Sequence, residues 1–262
     1  MGTIQAIARL FHGGGARKPA PKTAFASASE CGPERDENQD CFFADAKRRV
    51  FCVADGMGGG QGGSRASATA CAMIGEAVAR PGSFRERIRS IGRAIDGANE
   101  GILRFAAKAG YDRMGTTVAL LAVGGPVGSG PATAVVAHVG DSRVYLFRKG
   151  SLVRLTRDHS LVEDSGAAYS PLLRSTNLSH VLTRAVGIER SVRPGWRKIA
   201  VCPGDMFLLC SDGVCDMVPD DSIRFAFAAG KTPGGVVKIL ERKTLMAGAM
   251  DNYTMIVAAV ES

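Results

Sequence analysis

The chain has 262 residues, 45% of them apolar and 22% charged, with seven cysteines and a formal net charge of +8. That is enough sequence for one large domain or two small ones around a real core. No apolar run reaches the roughly 18–20 residues that span a bilayer, no signal-peptide pattern opens the chain, and aromatics at 6% leave no stacking platform for nucleic acid.

Residues 1–22 carry Arg9, Arg17, Lys18 and Lys22 with no acid, and the GGGARKPAPK stretch reads as a flexible basic tail before a domain at 23–262. Short apolar runs then alternate with turns. Strands are expected at Thr23–Ser29, Cys41–Ala44, Val50–Ala54, Thr116–Ala122, Ala132–Val139, Arg143–Phe147, Leu152–Leu155, Met206–Cys210 and Tyr253–Val260. Lys47-Arg48-Arg49 and Arg148-Lys149-Gly150 read as hairpin connections. Helices are expected in pairs, first Ser64–Ala79 and Phe84–Ala109, then Asp221–Ala229 and Pro233–Met246. Hairpin-like strand runs beside paired helices predict an α+β domain, with antiparallel sheets covered by helix pairs. Residues 156–193 lack clear periodicity and read as a long inserted loop.

The stretch VFCVADGMGGGQGG, Val50 to Gly63, needs a closer look. Glycine-rich loops after strands usually cradle phosphates with backbone N–H groups, yet Asp55 stands at the mouth of this one. Gly58-x-Gly60-x-x-Gly63 does match the dinucleotide fingerprint. That reading wants a second strand ending in an acid about 20 residues later, and Glu76 falls inside a predicted helix instead. No GxxxxGK[ST] occurs.

Asp55 belongs to a wider pattern. Asp40, Asp55, Asp141, Asp212 and Asp251 each bound an apolar strand-like run, with Gly, Ser or Asn within two residues of each. One such aspartate is ordinary turn chemistry. Five of them, gathered at neighbouring strand ends, would repel one another unless a cation sat among them. Oxygen donors without His or Cys partners point to magnesium or manganese. The seven cysteines include no CxxC pair and the four histidines are scattered, so neither zinc nor a disulfide framework is expected.

In order along the chain, GPERDENQD (Gly32–Asp40), VADGMGG (Val53–Gly59), MGTT (Met114–Thr117), HVGDSR (His138–Arg143), TRDH (Thr156–His159), SDG (Ser211–Gly213) and Asp251-Asn252 resemble the type 2C metal-dependent protein phosphatases, in their bacterial single-domain form. The resemblance covers roughly residues 24–260. It implies a four-layer α-β-β-α sandwich with two central antiparallel sheets, and hydrolysis of phosphoserine or phosphothreonine by a metal-activated water. It further implies that Asp55 bridges two Mn2+ or Mg2+ ions with the Gly56 carbonyl on one of them. Asp212 and Asp251 would complete one ion and Asp40 would serve the other. Asp141 would hold a third, weaker ion. Arg35 would bind the substrate phosphate, whose geometry suits a guanidinium. Residues near 160–185 correspond to the family's flap.

The expected partners are phosphorylated proteins and a Ser/Thr kinase with its targets, for a cytoplasmic monomer that engages neither nucleic acid nor membrane. The competing class is a non-catalytic phosphoprotein-binding module, which would have lost Asp55, Asp212 or Asp251; all three are present. No cysteine has Arg six positions later, so a thiol phosphatase is excluded. Two places depart from the family pattern. Met57 stands where many relatives carry a histidine suggested as general acid, which leaves water or another group such as His159, read chiefly as structural, to protonate the leaving group. Ala249-Met250 precedes Asp251 where a Gly- or Ser-rich turn is common. Thr116, Thr117, Ser142 and Arg143 are expected to fix turns and sheet rather than react, and Trp196 to pack.

Overall fold

A computed structural model of the chain describes residues 20–58, 61–125, 131–165 and 181–261. Eleven strands and six helices alternate among these residues. They are β1 (Thr23–Glu30), β2 (Asp40–Asp45), β3 (Val50–Gly58), α1 (Gly62–Ala79), α2 (Phe84–Ala109), β4 (Met114–Thr116), β5 (Val118–Gly124), β6 (Thr133–Val139) and β7 (Arg143–Arg148). Then come β8 (Ser151–Arg154), α3 (Leu161–Asp164), β9 (Gly195–Ala200), β10 (Met206–Cys210), α4 (Asp212–Cys215), α5 (Asp220–Gly230), α6 (Pro233–Met246) and β11 (Tyr253–Val260).

One sheet runs β1-β11-β10-β7-β8, the other β2-β3-β5-β6-β9 with β4 added beside the end of β3, and every pairing is antiparallel. Side-chain alternation sorts the strands into layers. Val50 and Cys52 of β3, with Leu120 and Ala122 of β5, face α1 and α2. Phe51, Val53, Ala119 and Leu121 point the other way, against Phe207, Leu209, Ile256 and Ala258 of the second sheet. Leu208, Met255 and Val257 then face α5 and α6 across a third apolar layer. Both sheets are thus buried on both faces, and the order of layers is the expected α-β-β-α.

Local chemistry accounts for the helix ends. Ser83 and Glu86 form a reciprocal capping box at the start of α2, and Gly110 closes it in the left-handed region at φ 76°. Thr232 caps α6, with Pro233 in its first turn. At the β7–β8 hairpin Lys149 and Gly150 both take positive φ, as a two-residue primed turn requires.

Three expectations are corrected. The single strand expected over Thr116–Ala122 is broken at Thr117, because that residue turns its N–H and hydroxyl to the Asp55 backbone. The helical turns α3 and α4 were not anticipated. Nor was β9, an edge strand following Pro194 with exposed Arg197 and Lys198 in place of clean alternation. Trp196, on that strand, packs against the α1–α2 core layer as expected. The tail expected at 1–22 falls almost wholly outside the described residues, as do residues 166–180 of the flap.

The described ends of that flap are paired: Leu161 N–H donates to Val181 O (2.9 Å), Ser160 bridges Leu182, and Thr183 N–H donates to His159 O (2.9 Å). Beyond it, buried Asn99 of α2 holds the following loop, donating to Glu189 O (2.9 Å) and accepting from Gly187 N (2.7 Å). Asn99→Ala leaves a buried N–H and a carbonyl without partners, so its urea-unfolding free energy should fall by about 2–3 kcal/mol. A loss under half that size would show that water replaces the amide.

Candidate active site

Five of the aspartates meet at one end of the sandwich. Asp40 opens β2 and stands directly opposite Asp55 in the β2–β3 ladder. Asp141 lies in the turn joining β6 to β7, where the chain passes from one sheet to the other. Asp212 opens α4 after β10, and Asp251 precedes β11. A cavity of about 490 Å3 is lined by Asp55, Gly56, Met57, Asp141, Asp212, Asp251 and Arg35, so the predicted residues converge with the exception of Asp40. Asp40 sits buried just behind, directly across the ladder from Asp55.

The backbone under Asp55 is clamped. Thr117 N–H donates to Asp55 O (2.8 Å), Thr116 Oγ1 donates to the same carbonyl (2.8 Å), and Asp55 N–H donates to Thr117 Oγ1 (2.9 Å). The Thr117 hydroxyl also meets Ser142 Oγ at 2.7 Å, tying the Asp55 strand to the Asp141 turn. On the other side, Ser211 Oγ donates to Asp40 Oδ2 (2.8 Å) and accepts from Thr254 N–H (3.0 Å). Ser211 is the N-cap of α4 yet makes no cap bond with its side chain. Its hydroxyl instead joins the two sheets.

Glycines let these segments approach. A Cβ on Gly56 would lie 2.1 Å from Gly63 O and 2.6 Å from Gln39 O. One on Gly213 would lie 2.0 Å from Asn252 O, and one on Gly32 2.3 Å from Asp251 O. The departure at Ala249 has a visible consequence: this buried alanine takes φ +43°, a left-handed conformation that costs a non-glycine residue about 1–2 kcal/mol.

Electrostatics follow from the crowding. Burial first, then the charges of Asp212, Asp40 and Asp141, push Asp55 well above the usual carboxylate range. Burial, Asp212 and Asp158 do the same to Asp141. Asp40 is pushed up to about 6 by burial and, secondarily, by Asp212, against hydrogen bonds that favour its charged form. Asp40 Oδ1 is buried with no hydrogen-bond partner among the described residues. Yet no three His, Cys, Asp or Glu side chains among those residues are already drawn together tightly enough to hold an ion. The acids surround a space.

Arg35, half exposed, donates to Asp251 Oδ2 at 2.6 Å rather than to neighbouring Glu34 or Glu37. Asp251 Oδ1 accepts from Asn252 N–H at 2.7 Å. Arg143 does not touch Asp141; it grips Asp158 with Nε and Nη2 (3.0 and 2.7 Å), and the Asp158 carboxylate is also 3.3 Å from Arg154. His159 is buried, stacked on His138 at 4.5 Å, with Nδ1 accepting from Gly140 N–H (3.2 Å). Burial and the neighbouring His138 and Arg184 hold its pKa down to about 3. It is a structural histidine.

A family model, protein phosphatase 2C, matches residues 33–233. The chain belongs to the protein phosphatase 2C family. The serine/threonine protein phosphatase PstP of Mycobacterium tuberculosis is 31% identical over 90% of this chain, which spans 45% of that longer protein. Among solved structures, PppA of Pseudomonas aeruginosa superposes with a TM-score of 0.82 at 30% identity, covering 92% of this chain and 99% of PppA. The catalytic domain of PstP in complex with two manganese ions gives a TM-score of 0.78 at 28% identity, covering 92% and 99%.

Two phosphatase-family cavity residues went unassigned at the level of sequence. Gln39 stood inside a recognised motif without a role. Its carbonyl accepts from Gly56 N–H (3.1 Å) and from Ser67 Oγ (2.6 Å), pinning the loop to α1. Arg113, the residue just before β4, lines the cavity. Its only sequence signal was a basic residue adjoining MGTT.

The crowding of acids yields a measurable outcome. In buffer free of divalent ions, Asp55→Asn keeps the side-chain shape and removes one buried negative charge. It should unfold at higher urea than the wild type, a gain on the order of 1–2 kcal/mol. A lower midpoint would show that the acids do not oppose one another in the native state.

Proposed function

We propose that this chain is a metal-dependent phosphoserine/phosphothreonine protein phosphatase. What supports the reading is the chemistry of the cavity: an all-oxygen donor set of aspartates on four separate segments, with an orphaned buried Asp40 oxygen behind it and an arginine at its mouth. Hard divalent cations suit such donors. Asp55, the Gly56 carbonyl, Asp212 and Asp251 would hold one or both of two Mn2+ or Mg2+ ions, Asp40 would serve the second, and Asp141 would hold a third, weaker one. When bound, such ions lower the pKa of water to near neutrality and offset charge on a phosphoryl group.

The chain's own residues do the rest. Thr116 and Thr117 fix the direction of Asp55. Ser211 keeps Asp40 aimed toward its neighbours. Arg35 supplies planar donors to the phosphate oxygens, and its contact with Asp251 holds the guanidinium at the cavity rim. The Asp251 carboxylate has enough lone pairs to keep Arg35 and accept a further partner. Residues 1–22 act as a tail on the catalytic domain at 23–262. The substrates are phosphoproteins of a Ser/Thr kinase and its targets, met by a monomer in the cytoplasm. No described helix is long and apolar enough to cross a membrane.

Purified protein with manganese should release phosphate from p-nitrophenyl phosphate and from a phosphothreonine peptide, and excess chelator should abolish both. Asp55→Ala and Asp212→Ala should each lose turnover while keeping the native circular-dichroism spectrum. Arg35→Ala should chiefly raise KM, the signature of lost ground-state phosphate binding. Activity that survives the chelator, or is absent with manganese present, overturns the reading.

A further inference from the structure

We infer that Arg113 forms a second anion subsite, which selects phosphopeptides carrying an acidic side chain or a second phosphate two or three residues from the phosphorylated one. The inference rests on the phosphatase reading and adds a substrate class to it.

The position of Arg113 is fixed by the ladder that fixes Asp55. In the β3–β4 pairing Gly56 stands opposite Thr116, Met57 opposite Gly115 and Gly58 opposite Met114. Arg113 is the next residue outward, and its carbonyl lies 3.0 Å from where a Gly58 Cβ would be. Thr116 to Arg113 is three residues of near-extended chain, about 10 Å along the strand. An extended peptide covers that distance in about three residues. Arg113 and Asp55 line the same cavity, so a peptide whose phosphate sits among the aspartates passes Arg113 on its way out.

Its charge is also available. Among the described residues Arg113 makes no side-chain hydrogen bond or ion pair, whereas Arg35 is engaged by Asp251 at 2.6 Å. It is an exposed residue, backed by the buried strand that follows it.

The opposite flank has the reverse polarity. Beyond Arg35 a second hollow of about 420 Å3 shares Arg35, Gln39 and Asn252 with the first and is otherwise lined by Glu34, Asp36, Glu37 and Gln61. An anionic side chain is repelled there and attracted at Arg113. The apolar Val181 and Leu182 on the remaining wall offer it no counter-charge.

The test compares kcat/KM, in manganese, for phosphothreonine peptides that differ only in one flank. One set carries Glu or phosphoserine two or three residues before or after the phosphothreonine; control sets carry Gln or Lys there. The wild type should prefer the acidic peptide of one orientation over its Gln control by about fivefold, the scale of a partly exposed ion pair. Arg113→Lys should retain much of that ratio, Arg113→Gln should bring it to one, and Arg113→Glu should invert it toward the Lys peptide. Equal hydrolysis of all peptides by the wild type, or a ratio unchanged in Arg113→Gln, overturns the inference and leaves the phosphatase reading standing. Failure of the wild type to hydrolyse any of them sinks both.

Discussion

Like charges held close together in a poorly solvated place are the constraint around which this molecule is organised. Burial, and after it the charge of Asp212, raises the proton affinity of Asp40, Asp55 and Asp141, because burial removes the water that would screen the charges. Left alone, such a cluster favours the unfolded chain, where each carboxylate is separately hydrated. The fold persists because three apolar layers, built from both faces of two sheets, outweigh a local penalty at one end. Many exposed ion pairs elsewhere, such as Arg104 with Glu100, contribute little to that balance.

Bringing the acids together requires the two sheets to keep a fixed stagger. Asp40 and Asp55 belong to the sheet under α1 and α2, and Asp212 and Asp251 flank strands of the other. Apolar packing between sheets is non-directional and tolerates small slips. The polar bonds at the site end do not. Ser211 to Asp40 crosses from one sheet to the other, and Thr117 to Ser142 ties the Asp55 strand to the turn where the chain changes sheets. Each bond is worth only about 1 kcal/mol, yet each sets the place of a carboxylate to a fraction of an ångström. Gly56, Gly213 and Gly32 serve the same end by letting backbones touch where a Cβ could not fit.

How much of this was legible in the sequence depended on whether the signal was local. The helices at Phe84–Ala109 and Pro233–Met246 and the strands at Met206–Cys210 and Tyr253–Val260 have the expected bounds, because caps and apolar runs lie within them. The aspartates were legible as a set because each punctuates an apolar run. What stayed hidden was relational. β9 has no core-facing pattern of its own and is a strand because β6 offers it an edge. The break at Thr117 arises from a partner 62 residues away. Arg35 has Glu34 and Glu37 beside it in the sequence, but its partner Asp251 lies 216 positions on, and no neighbour-based rule reaches that far.

The absence of a histidine at position 57 sharpens the chemistry on the phosphatase reading. Met57 lines the cavity and has no proton to give. His159 is the nearest candidate by motif, but the structure removes it: the ring is buried under His138 and receives an N–H from Gly140. With its pKa held to about 3, it carries no extra proton at neutral pH. The guanidinium groups of Arg35 and Arg113 present planar N–H donors to the cavity. On that reading, the motif leaves water in the cavity to supply the proton for a departing oxygen. Rate in such a site depends on how well charge on the phosphoryl group is offset, and less on a matched protein acid. That ties turnover to the placement of the aspartates and of Arg35, and so to the clamps at Thr117 and Ser211.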